Sequence, residues 1–313
     1  MQLDAAALRQ RLVLGKLVQA LDAMFRAGCE VPLRHTHAIG SAGTTLLMPA
    51  WQPGRHYGVK TINIFPGNST LGLPGLHAVY LLFDARTGVP LALMDGSELT
   101  SRRTAAASAL AARFLAREDA QRLLIIGAGR VAALLPEAMR SVRPGLTQVA
   151  VWNRSPAGAA ALVTQLRSQG WQADLAPDLE AAVRAADLIS CATLSTAPLV
   201  QGAWLSPGTH LDLIGSFTPT MRETDGACFA RGRVFVDTAE ALAKAGDLLQ
   251  AQAEGCFDPA QVQATLSRLC RDERRGRSDA HEITVFKSVG SALEDLAAAE
   301  LALAAPDNPE SAA

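Results

Sequence analysis

The sequence predicts an α/β protein: a doubly wound parallel sheet in the second half of the chain, joined to an α+β domain built around an antiparallel sheet. Three observations carry this. Residues 118–288 alternate short apolar strands with helical stretches, the pattern of a parallel sheet whose crossovers are helices. Residues 1–117 carry strand-like runs separated by turn residues, which implies hairpins and antiparallel pairing. Residues 289–313 read as one Ala/Leu-rich helix with a polar tail. We therefore expect two domains, residues 1–117 together with 289–313, and residues 118–288, in keeping with domains of roughly 100–200 residues.

The elements follow in order. Leu8, Leu12, Leu17, Leu21 and Phe25 recur at helical spacing. The runs TTLLMPA, HYGVKTINIF, LHAVYLLFD and VPLALMD read as strands, with DARTG (84–88) as a hairpin turn. A helix, RTAAASALAARFLA, is opened by Ser101-Arg102-Arg103-Thr104. The parallel strands are RLLIIG (122–127), QVAVWN (148–153), DLISCAT (187–193), HLDLIG (210–215) and RVFVD (233–237). No repeat or long linker appears, and the tail PDNPESAA is expected to fray.

Composition excludes several function classes. Hydrophobic residues at 49% against charged residues at 19% supply a core and argue against disorder. A net charge of −1 offers nothing to nucleic acid or to an anionic membrane. Aromatic residues at 5% are too few for base-stacking platforms. No apolar run reaches the roughly 18 residues of a membrane span. Asp4, Arg9 and Arg11 precede any apolar stretch, unlike a secretory signal. The five cysteines are odd in number and lack a CxxC pair, so we expect reduced thiols in the cytoplasm and no metal site.

The run GAGRVA follows a strand and is expected to open a helix, which fits GxGxx(G/A). Gly127 permits the tight turn, Gly129 lets the backbone approach a pyrophosphate, Arg130 and Val131 continue the loop, and Ala132 keeps the helix close to the strand. The free N–H groups of the helix start would face the phosphates. No GK[ST] follows, so this is not a P-loop. A dinucleotide-binding Rossmann domain is the reading. An NAD(H) site wants an acid at the end of the second strand, whereas this chain has Asn153-Arg154-Ser155. Arg154 and Ser155 suit a 2′-phosphate, and Arg130 adds a second cation, so NADP(H) is expected, with NAD(H) as the alternative. Thr193 and Ser195, at the end of DLISCAT, are candidate ribose or phosphate contacts; the other reading is a plain polar loop.

Lys60 lies inside the apolar strand YGVKTINIF, where an ammonium needs an anionic partner unless it points outward. Arg102 and Arg103, expected in a first helical turn, would oppose the helix dipole unless an anion binds there. Arg34, after the proline of EVPLR, could add a third charge. Arginine grips carboxylates bidentately, so the set points to a substrate carboxylate.

The stretches GVKTINIFPGN, DARTGVPLALMDGSELTSRRTAAASALAA, GAGRVA, IGSFTPTMRETD and EITVFKSVGSALED resemble the ornithine cyclodeaminase/mu-crystallin family over nearly the whole chain. The resemblance implies that Arg34, Lys60 and Arg103 hold a substrate carboxylate, that Val289 and Gly290 lie near the nicotinamide, and that the protein is a homodimer joined through its N-terminal domain. It also implies one of several activities: reduction of cyclic imines such as pyrroline-2-carboxylate, ornithine cyclodeamination, amino-acid dehydrogenation, or NADP(H)-dependent ligand binding. The chain departs from the cyclodeaminase pattern at two positions. Phe217 stands where those enzymes place an aspartate, and Leu46 where they place a glutamate. Without these acids a second amine would sit unpaired among apolar groups. The expectation is therefore an NADPH-dependent reductase of a small imino acid. Lys60 and Arg103 carry catalysis by positioning, Leu46 and Phe217 line the apolar part, and Lys60 or His77 is a candidate proton donor.

Overall fold

The computed structural model describes residues 1–305, and the tail PDNPESAA lies outside the described residues. The chain divides into two compact units, Met1–Arg103 with Ser291–Ala313, and Thr104–Gly290.

The first unit holds a six-stranded sheet of β1 (Gln2–Leu3), β2 (His35–Ile39), β3 (Gly43–Trp51), β4 (His56–Ile64), β5 (Leu76–Asp84) and β6 (Pro90–Asp95), in the order β1-β6-β5-β4-β3-β2. Pairing is antiparallel except for β1, which lies parallel to β6. The turn at 84–88 forms as its sequence suggests: Asp84 Oδ1 accepts from the Arg86 and Thr87 amides, and Gly88 takes φ +73°. Strand β2 was not anticipated, because every residue of this edge strand is exposed and no apolar alternation marks it. The N-terminal helical pattern is two helices, Ala5–Arg11 and Leu14–Ala27, broken where Leu12 leaves helical geometry (φ −95°, ψ 60°). The second ends at Gly28 with φ +78°.

The helix Ala292–Ala304 packs on the helix Leu14–Ala27 and on β3, β4 and β5. One sheet face therefore buries Met48, Ala50, Lys60, Tyr80, Leu82 and Met94. The opposite face leaves Val79 and Leu93 at 44% and 40% exposure, with Leu47, Val59 and Leu81 half-buried beside them.

The helix expected to begin at Ser101 begins five residues earlier, at Gly96, and runs to Leu115. Asp95 Oδ1 accepts the Glu98 amide at 2.7 Å and so caps the true start. Arg102 and Arg103 thus sit in the second turn, and the first-turn dipole argument for an anion does not apply to them.

The second unit holds β7 (Arg122–Ile126), β8 (Gln148–Trp152), β9 (Gln172–Leu175), β10 (Leu188–Cys191), β11 (His210–Leu213), β12 (Arg233–Val236), β13 (Ala264–Thr265) and β14 (Thr284–Lys287). All are parallel, in the order β13-β12-β14-β11-β10-β7-β8-β9. The direction of winding reverses at β7/β10, which is where a doubly wound sheet leaves room for a ligand at its carboxyl edge. Arg143 donates to the carbonyls of Arg113, Ala116 and Arg117, placing a cation at the negative end of the helix Gly96–Leu115.

Candidate active site

In the first unit, two cations meet two acids inside the fold. Lys60 Nζ donates to Asp295 Oδ1 at 2.8 Å and lies 2.7 Å from Oδ2. Arg103 Nε donates to the same Oδ1 at 3.0 Å, and its Nη1 to Glu294 Oε2 at 2.6 Å. Lys60, Glu294 and Asp295 have no exposed surface. The anionic partner that Lys60 needs is therefore supplied by the chain itself. Burial pushes the Lys60 ammonium down to about 8, opposed by Asp295 and helped by the like charge of Arg103. Arg102 does not share this cluster; it donates to Glu98 Oε1 at 2.8 Å and to the Leu12 carbonyl at 3.0 Å.

The other residues expected near the clamp divide by sheet face. Arg34 is half-buried and immediately precedes β2, two strands from Lys60. Leu46 is half-buried in β3 on the same face as Met48 and Lys60. His77 pairs with Asn63, is exposed, and falls on the opposite face from Lys60, because strand residues alternate. As a partner of this cluster His77 is thus a correction: the register turns it away.

In the second unit the glycine loop is shaped for backbone binding. Gly127 takes φ +116°, and a Cβ there would stand 2.5 Å from the Ala192 carbonyl oxygen. A Cβ on Gly129 would meet nothing within 4 Å, so the loop leaves open space where a pyrophosphate would approach. These residues fit a dinucleotide. The helix expected to open here is interrupted: Ala132–Leu134 is a 3₁₀ turn, and the α-helix is only Leu135–Arg140 with Pro136 in its first turn. The dipole contribution is correspondingly small, and the backbone clearance at Gly129 carries the fit. Arg130, Arg154 and Ser155 are exposed, Val131 is half-buried, and Asn153 Nδ2 donates to the Ser155 carbonyl at 3.0 Å. Ser155 precedes the helix Pro156–Ser168 without capping it by its side chain.

Buried acids hold the remaining carboxyl-edge loops. Glu223 Oε1 accepts from the Thr193 amide and hydroxyl at 2.8 and 2.7 Å, and its Oε2 accepts the Gly215 amide at 2.7 Å. The Ser195 hydroxyl donates to the Ala197 carbonyl. The Thr193 hydroxyl proton is thus committed to Glu223 and that of Ser195 to its own loop, while Leu194 between them is 71% exposed. Asp237 Oδ2 accepts the Val289 and Gly290 amides at 2.8 and 2.7 Å, fixing the segment expected beside the nicotinamide. Asp247 Oδ1 accepts the Glu223 and Thr224 amides, and Lys287 Nζ donates to the Leu213 carbonyl, 3.6 Å from Asp247 Oδ2. Phe217, at 42% exposure, projects from the loop after β11. Beneath the loops, Asp212 accepts from Ser190 and Ser108 hydroxyls at 2.8 and 3.0 Å; burial lifts it to about 7 despite them. Burial drives His210 down to about 3, so its ring is neutral.

Sequence reasoning missed Glu223, Asp237, Asp247, Lys287, Glu294 and Asp295. For Lys287 the signal was available, since ITVFK is an apolar run interrupted by a lysine, as at Lys60. Among the described residues no group of three or more His, Cys, Asp or Glu could hold a metal ion, and no helix is long and apolar enough to cross a membrane.

Comparison with known proteins places the chain in a family. The chain is 44% identical over 257 residues to Delta(1)-pyrroline-2-carboxylate reductase of Paracoccus denitrificans, covering 81% of each chain. It is similar to the structure of Thermococcus litoralis Delta(1)-pyrroline-2-carboxylate reductase in complex with NADH and L-proline: TM-score 0.91, 31% identity, 97% of this chain and 96% of that one. It is also similar to an archaeal alanine dehydrogenase dimer with bound NAD: TM-score 0.90, 30% identity, 97% and 94% coverage. The profile of the ornithine cyclodeaminase/mu-crystallin family matches residues 6–304, and the chain belongs to that family.

Proposed function

We propose that the protein reduces a small imine bearing one carboxylate, of the pyrroline-2-carboxylate or linear ketimine type, with a nicotinamide dinucleotide as the reductant. The observation that carries this reading is the buried Lys60–Arg103 pair, joined through Asp295: Lys60 lies on the sheet face that also carries apolar Leu46, and Arg103 comes from the helix Gly96–Leu115. When bound, the reduced nicotinamide supplies the hydride that the imine carbon takes up. The first unit supplies the substrate contacts: Arg103 and Arg34 receive the carboxylate, and Lys60 adds its charge from behind. Leu46 favours an uncharged substrate body, because an ammonium placed against it would lose its hydration without a partner. Phe217 stands where the family's cyclodeaminases carry an aspartate, which argues for reduction over cyclodeamination.

The second unit holds the dinucleotide through the clear backbone at Gly129 and the loops pinned by Glu223 and Asp237. NADP(H) is the preferred form on the strength of Arg154 and Ser155, with no acid at the end of β8 to repel a 2′-phosphate. A homodimer would cover the sheet face that leaves Val79 and Leu93 open. Cysteine usage, an odd number without a paired motif, suits the cytoplasm.

The test is an absorbance assay of NADPH and NADH oxidation over a panel of cyclic and linear imino acids. Turnover of a cyclic imino acid supports the reading. Ammonia release from ornithine without net change in cofactor absorbance would replace it with cyclodeamination. Oxidation of alanine as the main reaction would favour the dehydrogenase reading that the similarity to alanine dehydrogenase suggests.

A further inference from the structure

The C-terminal helix is rich in alanine and leucine, yet its first turn carries two acids with no exposed surface, Glu294 and Asp295. Acids suit a helix N-terminus, but a site removed from water demands more than a dipole. Both are matched by cations from distant parts of the chain. Asp295 Oδ1 is shared, 2.8 Å from Lys60 Nζ and 3.0 Å from Arg103 Nε. Glu294 takes a different nitrogen of the same guanidinium, Nη1, at 2.6 Å.

We propose that Glu294 and Asp295 are positioning residues for substrate binding, holding Arg103 and Lys60 in the place and charge state that a carboxylate-bearing substrate requires. This rests on the reading of those cations as the carboxylate clamp. A guanidinium held at two separate nitrogens cannot rotate about its stem, so its remaining donors keep a fixed direction. An oxygen shared between two like charges lets both stay close and charged where burial and mutual repulsion would otherwise strip Lys60 of its proton. The groups facing Lys60 are Asp295 and Glu294 from the C-terminal helix, Arg103 from the helix Gly96–Leu115, and its cross-strand neighbour Tyr80, whose phenol burial keeps neutral. Of the acids, Asp295 has the larger hold on Lys60, and Glu294 acts mainly on Arg103.

Asp295→Asn, Asp295→Glu and Glu294→Gln test this in the full-length protein, by steady-state kinetics against pH with an imino acid that the wild type reduces. Asp295→Asn should raise the imino-acid KM by roughly tenfold or more, with a smaller change in kcat. It should also move the alkaline limb of kcat/KM downward by about one pH unit, because Lys60 loses its nearest anion. Asp295→Glu should restore the limb. Glu294→Gln should raise KM and leave the limb in place. In all three the dinucleotide KM should keep its wild-type value, a readout that general loss of structure would not spare. Wild-type imino-acid KM and pH limb in Asp295→Asn and Glu294→Gln would overturn the proposal. So would parallel loss of imino-acid and dinucleotide binding with a lowered Tm, which marks a purely structural pair. Should Asp295→Asn fail to fold, the KM of Glu294→Gln and the limb of Asp295→Glu decide. An unchanged imino-acid KM in Arg103→Ala would instead remove the clamp itself, a separate outcome from failure of its positioning.

Discussion

The two units bury charge in opposite ways. In the first, charges meet charges: Lys60 and Arg103 are matched side chain to side chain by Asp295 and Glu294. In the second, acids mostly meet neutral donors: Glu223, Asp237 and Asp247 accept backbone amides, and Asp212 accepts serine hydroxyls. Under the proposed function the difference follows from what each unit would present. A carboxylate is read by fixed side-chain charge, whereas a dinucleotide is read by the course of the backbone, and acids that bind amides set that course.

Removing one member of the charged cluster tests the comparison hardest. Arg103→Ala strands two acids beside a single lysine, so it should cost about 3–5 kcal/mol of stability and raise the imino-acid KM roughly a hundredfold. Chemical denaturation and steady-state kinetics read both effects, and a stable variant with unchanged KM would show that the cluster is dispensable.

The acids of the second unit predict a pH signature. Asp212 is lifted from its ordinary 3.8 to about 7, so between these values the unfolded chain releases its proton first and stability falls as pH rises. The variant Asp212→Asn lacks that slope. Its stability relative to wild type should climb between pH 4 and pH 7 and then level, by up to about 4 kcal/mol. A flat difference in urea midpoints over that range would contradict it. His210 acts with the other sign. It is depressed from 6.5 to about 3, so the unfolded chain takes up a proton first as pH falls below 6.5, and stability is lost toward pH 3.

Backbone shape gives the next effect. Gly127→Ala forces a side chain into φ +116° and 2.5 Å from the Ala192 carbonyl oxygen. It should cost about 1–3 kcal/mol and weaken dinucleotide binding in a fluorescence titration. Wild-type affinity would mean that the turn is not part of the dinucleotide site. The smallest effect belongs to Arg154→Asp, which should move the NADPH/NADH preference about tenfold toward NADH. An unaltered ratio would remove Arg154 from cofactor choice.

Much of this arrangement could be read before the structure. The parallel strands, the glycine loop and the hairpin at 84–88 each follow from local rules, where a few adjacent residues determine the outcome. The family resemblance named Arg34, Lys60 and Arg103. What stayed hidden were pairings across long separations. Nothing near Lys60 announces that its counter-ion is Asp295, and nothing in HTHAI marks an edge strand whose side chains all face solvent. The start of the helix Gly96–Leu115 was misread because Arg102 and Arg103 looked like a terminus. Their charges are instead answered by Glu98, one turn earlier, and by the acids of the C-terminal helix.

The pairing of Arg103 with Asp295 spans 192 residues. On a ribosome adding about 5–20 residues per second, the arginine waits roughly 10–40 s for its acids to be synthesised, and Lys60 longer still. During that interval the first sheet cannot close over its two cations without burying them unmatched. The nascent amino-terminal segment should therefore stay open until the helix Ala292–Ala304 has been made, and a chain stopped before residue 294 would meet chaperones and proteases with its core ajar.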